Sequence, residues 1–130
     1  MAISVVRLGS PRKGSEGIRV GTVRRPPRGV KKADYGRLDY YDVWLPELAP
    51  SERLRAWAVA KPLTASRWSA FARRYRTEMR AAAPQRLIAL LAALSSRADF
   101  SIGCYCEDEV RCHRSLLRAL LAEAGATVVS

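Results

Sequence analysis

The chain has 130 residues, 48% of them hydrophobic, which is one domain of chain with enough apolar side chains for a core that needs no disulfide or metal staples. Its 23 lysines and arginines stand against 12 acidic residues, a formal charge of +11. No apolar run approaches the ~18 residues that cross a bilayer, and residues 1–8, interrupted by Arg7, lack a secretion signal's long apolar stretch, so the expected address is the cytoplasm and no membrane partner is expected.

The charge is uneven. Residues 1–40 carry ten cations against three anions and residues 41–80 eight against four, while residues 81–130 carry five of each. A basic excess of this kind favours polyanions such as nucleic acid, or small phosphorylated or carboxylated ligands. It is equally what a solvated arginine-rich surface produces.

Residues 3–8 (ISVVRL) and 18–23 (IRVGTV) are short and β-branched, so both predict strands, separated by the turn-forming residues 9–17. Residues 24–32 (RRPPRGVKK) hold two prolines, a glycine and five cations, which predicts an irregular basic loop leaving the carboxyl end of a strand. Arg24 and Arg28 are its candidate ligand-binding residues. Residues 40–45 (YYDVWL) read as a short strand closed by Pro46. Pro50 and Ser51 open a helix to about Val59, and Thr64 caps the next one. In that helix Trp68, Phe71, Tyr75 and Met79 recur at spacings of three and four, a core stripe rather than a cofactor box. Pro84 suits the first turn of a third helix carrying Leu87, Ile88, Leu91 and Leu94.

The last third closes with a strand over residues 100–106 (FSIGCYC), a polar loop over 107–111, a helix over 112–124 ended by Gly125, and a strand over 126–129. Strand, helix and strand in that order predict a parallel right-handed crossover. The expected architecture is therefore a single α/β domain over residues 1–130, a mixed β-sheet with packed helices and a C-terminal strand-helix-strand unit.

All three cysteines fall within nine residues, at 104, 106 and 112, beside the only histidine, His113. A disulfide framework spreads its cysteines to close long loops, and this pattern does not. Three chemistries compete for residues 104–114. One is an anion site, in which the helix amides, Arg114 and Ser115, with Cys104 nearby and Arg24 or Arg28 from the basic loop, hold a phosphate, a carboxylate or a nucleotide-like ligand. The second is thiol chemistry, with Cys112 and His113 as candidate catalytic residues, because a helix N-terminus and neighbouring cations stabilise a thiolate against the opposing Glu107, Asp108 and Glu109. The third is a zinc-type metal site of Cys104, Cys106, Cys112 and His113, strained because adjacent helical residues point ~100° apart. In the leading form no metal and no other cofactor is expected. No G-x-S-x-G elbow is present, and the C-x4-R match from Cys106 to Arg111 encloses acidic residues that repel anions.

One further pattern spans most of the chain: Arg19-Val20, Arg24 and Pro27-Arg28-Gly29-Val30; Trp44-Leu45, Ala49-Pro50-Ser51, Leu54-Arg55 and Trp57; Trp68, Phe71, Arg74-Tyr75 and Glu78; then Cys104, Asp108 and Cys112-His113-Arg114-Ser115-Leu116. In this order they resemble the bacterial family called domain of unknown function 488, which includes the YeaO-like proteins. Val23 stands where that family usually has an acidic residue, and Pro26 where it has tryptophan. Cys106 and Glu109 also fall where relatives often differ. The resemblance implies an α/β fold and a cytoplasmic location, and it brings no settled activity. The leading expectation is a small α/β protein with an anion pocket around residues 104–114, with cysteine or histidine chemistry if any occurs. The alternatives are a non-catalytic nucleic-acid-binding module and a thiol or metal sensor.

Overall fold

In the computed structural model, residues 1–106 and 111–129 are described. Five strands form one sheet: β1 (Ile3–Arg7), β2 (Ile18–Gly21), β3 (Val43–Trp44), β4 (Phe100–Cys104) and β5 (Val128–Val129). Four helices accompany them, α1 (Glu52–Val59), α2 (Ala65–Glu78), α3 (Ala82–Leu94) and α4 (His113–Glu123). The α/β class and the single domain follow directly. The polar loop expected over residues 107–111 lies, apart from Arg111, outside the described residues.

The strand order is β3-β2-β4-β1-β5, and every ladder among the described strands is parallel. The sheet is thus parallel where the sequence predicts a mixed one. The reason lies at β1 and β2. Turn-rich residues separate them, yet β4 inserts between them, pairing Ile3 with Phe100 on one side and Val20 with Ile102 on the other. The intervening segment is therefore a crossover and not a hairpin turn. At its end Gly17 has φ +69°, and a Cβ there would meet the Asp99 carbonyl oxygen at 2.0 Å, so this position requires glycine.

Local chemistry sets the helix ends. Ser51 caps α1 by accepting from the Leu54 amide, and Thr64 caps α2 by accepting from Arg67. At the end of α4 the Gly125 amide bonds Ala122 and the Ala126 amide bonds Leu121, with Gly125 at φ +95°. That pair of bonds ends the helix and turns the chain into β5. The predicted stripe of α2 is core: Phe71, Tyr75 and Met79 are buried, and the Trp68–Phe71 and Phe71–Tyr75 rings stack. They pack with Ile3, Ile102, Ile88, Leu117 and Leu121 in the main hydrophobic cluster. No described helix is long and apolar enough to cross a membrane.

One buried cation organises the loops at the carboxyl edge. Arg19 is 1% exposed and pairs with Glu16 at 3.0 Å, while its guanidinium also donates to the carbonyls of Ser10, Pro11 and Asp39. Arg19→Met should cost about 3–5 kcal/mol in urea unfolding, because Glu16 is left buried without its partner. The double variant Glu16→Gln with Arg19→Met should recover part of that loss.

Candidate functional site

The candidate side chains gather where the parallel strands end. β4 delivers Cys104 at its last residue, and the chain runs on through Tyr105 to Cys106. Beyond the polar loop, Cys112 occupies the cap of α4 in extended conformation, φ −120° and ψ 150°, and the helix begins at His113. Sequence reasoning places Cys112 within the first helical turn. It lies just outside, at the cap, and its sulfur joins those of Cys104 and Cys106 in a group that, among the described residues, does not include His113. The sulfurs of Cys104, Cys106 and Cys112 lie within 4.8 Å of one another, with Cys104 Sγ and Cys112 Sγ 2.7 Å apart. All three are free cysteines.

Two side chains of α4 fix this arrangement. Arg114, 3% exposed, donates from Nη1 to the Val6 carbonyl of β1 and from Nη2 to the Cys106 carbonyl, each at 2.7 Å. His113 holds the end of β2, its Nε2 lying 2.6 Å from the Thr22 carbonyl oxygen. A carbonyl only accepts, so Nε2 carries the hydrogen and Nδ1 faces Cys112 Sγ at 3.8 Å. Burial pushes the His113 imidazole down to about 4, so the ring is neutral at neutral pH.

The three thiols differ in acidity. The Cys106 thiol is held well below its usual range, because Cys104 and then Cys112 donate hydrogen bonds to its sulfur. Cys112 is driven up by donating to Cys104 and Cys106 and by burial, and Cys104 is driven up chiefly by donating to Cys106. Helix-terminus reasoning predicts Cys112 as the most acidic thiol. The order is reversed because Cys112 is 2% exposed, makes no capping bond through its side chain, and serves as a donor. Cys106, expected in a buried strand, is exposed, since β4 ends at Cys104.

The cluster opens into a cleft of about 300 Å³ whose lining includes Arg24, Arg25, Arg55 and Arg111, with Phe71, Leu63 and Val59 on its apolar side. No carboxylate is among its described lining residues. Arg24 reaches the Pro50 and Ala49 carbonyls, Arg25 pairs with Glu52 at 2.8 Å, and Arg111 donates to the Leu63 carbonyl.

Of the residues expected at the site, Cys104, Cys112, His113 and Arg24 line this cleft, and so does Cys106 from the metal alternative. Arg28 does not line it and is exposed. Arg114 and Ser115 are not in the lining either: Arg114 is spent on two carbonyls, and the Ser115 hydroxyl donates to the Cys112 carbonyl. The cleft is also lined by Arg25, Arg55 and Arg111, which are not among the residues the sequence predicts there. Arg25 and Arg111 adjoin chosen residues, a usable signal, whereas Arg55 arrives only through the placement of α1. In reduced, chelator-treated protein, iodoacetamide should alkylate Cys106 well before Cys104 or Cys112, read by peptide mass spectrometry, because Cys106 is exposed with its thiol held low while the other two are buried. Equal rates would mean that the two buried sulfurs are not shielded.

Residues 3–125 match the family model DUF488-N3a, described as the active DUF488-N3 subclade. Neither curated proteins nor solved structures yield a match to the chain. With nearly its whole length covered by that one model, the chain belongs to the DUF488 family.

Proposed function

We propose that the cleft binds a small anionic ligand bearing a phosphate or a carboxylate and holds it against the cysteine cluster. The observation that carries this reading is the lining itself: four arginines surround three sulfurs, with no described carboxylate among them. Position supports it too, since ligands of parallel α/β sheets settle at the carboxyl ends of strands. The arginine heads supply forked donors suited to planar or tetrahedral oxyanions. Arg24 bonds the Pro50 and Ala49 carbonyls and Arg111 the Leu63 carbonyl, and neither forms an ion pair among the described residues. Thiol chemistry on the bound ligand would then fall to Cys106, the exposed member, with Cys112 and His113 behind it as hydrogen-bond partners.

A second reading has its own observation. A groove of about 690 Å³ between α1 and α2 is lined by Arg53, Arg73 and Arg74 beside Trp57. The Trp57 ring carries the Arg67 and Arg74 guanidiniums at 4.3 and 4.4 Å, so it is engaged with cations and poorly placed to stack on bases. Such a surface suits phosphate backbones. Binding that changes with sequence and survives about 200 mM salt would mark a nucleic-acid module instead of a small-anion site.

Phosphate at about a hundredfold over its Kd should stabilise the protein by about 2.7 kcal/mol, a rise of several degrees in Tm. The double variant Arg55→Ala with Arg111→Ala should lose most of that rise. An undiminished rise would place the anion outside the cleft.

A further inference from the structure

We propose that Cys104, Cys106 and Cys112 together hold one soft divalent metal ion of the zinc class, with its fourth position open to the arginine-lined cleft. The inference goes beyond anion binding and stands independently of it. A tetrahedral thiolate site with metal–sulfur bonds of ~2.3 Å spaces its sulfurs about 3.8 Å apart. The three sulfurs here span 2.7 Å at the closest pair and lie no further than 4.8 Å apart, a range that brackets that spacing. Opening the closest pair by about 1 Å is a side-chain adjustment of Cys112, whose backbone lies at the helix cap and not within the helix.

Two simpler uses of the thiols account for less. Packing as small hydrophobes explains Cys104 and Cys112, which are 1% and 2% exposed, but not an exposed Cys106 turned toward the same point. A disulfide would use two sulfurs and leave the third without a role. Three thiolates on a divalent ion carry one net negative charge, and the surroundings answer it. Arg114 is buried with Nε unpartnered among the described residues, and its Nη2 already grips the Cys106 carbonyl. Thiolate ligands select soft ions over magnesium or calcium. On binding, each thiol that still carries a proton releases it to solvent as its sulfur takes up the metal bond. His113 is a positioning residue in this arrangement: its Nδ1 approaches only the Cys112 sulfur, and its Nε2–H anchors the ring to the Thr22 carbonyl.

The test is titration of cobalt(II) into the reduced, chelator-stripped full chain, followed by near-ultraviolet thiolate-to-cobalt charge-transfer absorption. Saturation at one equivalent is expected, with Cys106→Ser weakening binding by roughly 100-fold, at or above the loss caused by removing a supporting partner of a metal ligand. Cys106 is exposed, so this variant should keep the parent's metal-free Tm, which separates a lost ligand from a lost fold. No charge-transfer band, or equal affinity in Cys106→Ser, would overturn the proposal. Phosphate is tested separately by thermal shift. Cobalt binding without a phosphate response supports the metal site and removes the anion reading. A phosphate response without cobalt binding does the reverse.

Discussion

A guanidinium that cannot reach water must find acceptors inside the protein, and Arg114 finds two on separate segments. One is the Val6 carbonyl of β1, and the other is the Cys106 carbonyl beyond β4. His113, one residue earlier, ties the same helical turn to Thr22 at the end of β2. Charge-assisted bonds of this kind contribute about 1.5–3 kcal/mol each, and losing one end leaves a buried polar group unsatisfied. The first turn of α4 is thereby fixed to the ends of three strands at once. The positions of Cys104, Cys106 and Cys112 follow from that attachment.

The parallel sheet makes the attachment possible. With β4 at its centre and β1 and β2 on either side, three carboxyl ends lie side by side. Leu8 donates to the Cys104 carbonyl and Thr22 to the Gly103 carbonyl, which keeps those ends in register past the last ladder bonds. Arg19 performs the corresponding task for the crossover that lets β1 and β2 straddle β4. Two buried arginines thus hold backbone in place, while Arg24, Arg25, Arg55 and Arg111 line the cleft.

Much of this was legible in the residues. The β-branched runs mark β1 and β2, Ser51 and Thr64 mark helix starts, and the aromatic spacing of α2 marks its buried face. The segment that holds the cysteine cluster was also visible, since three cysteines and the sole histidine crowd into it. Strand order was not legible, because whether two strands pair directly depends on what inserts between them, and β4 comes from about 80 residues away in the register Val20 to Ile102. Nor could sequence separate arginines that clamp the strand ends from arginines that line the cleft. Arg114 was expected to hold an anion and holds carbonyls, while Arg55 was passed over and lines the cleft. A guanidinium's role depends on which carbonyls the fold brings within reach. The rank of the thiols is hidden in the sequence for a related reason: the field of a helix terminus on Cys112 follows from chain position, whereas hydrogen bonding among the three sulfurs follows from the fold.

The central claim is that the Arg114 clamp assembles and shields the cysteine cluster. It is tested most directly by thiol reactivity in Arg114→Lys, whose single ammonium cannot reproduce a fork spanning Val6 and Cys106. The comparison is made on protein that keeps a cooperative thermal transition, so that global unfolding does not supply the signal. Cys104 and Cys112 there should become alkylated at rates within a few-fold of Cys106. If both stay as protected as in the parent chain, the clamp does not assemble the site.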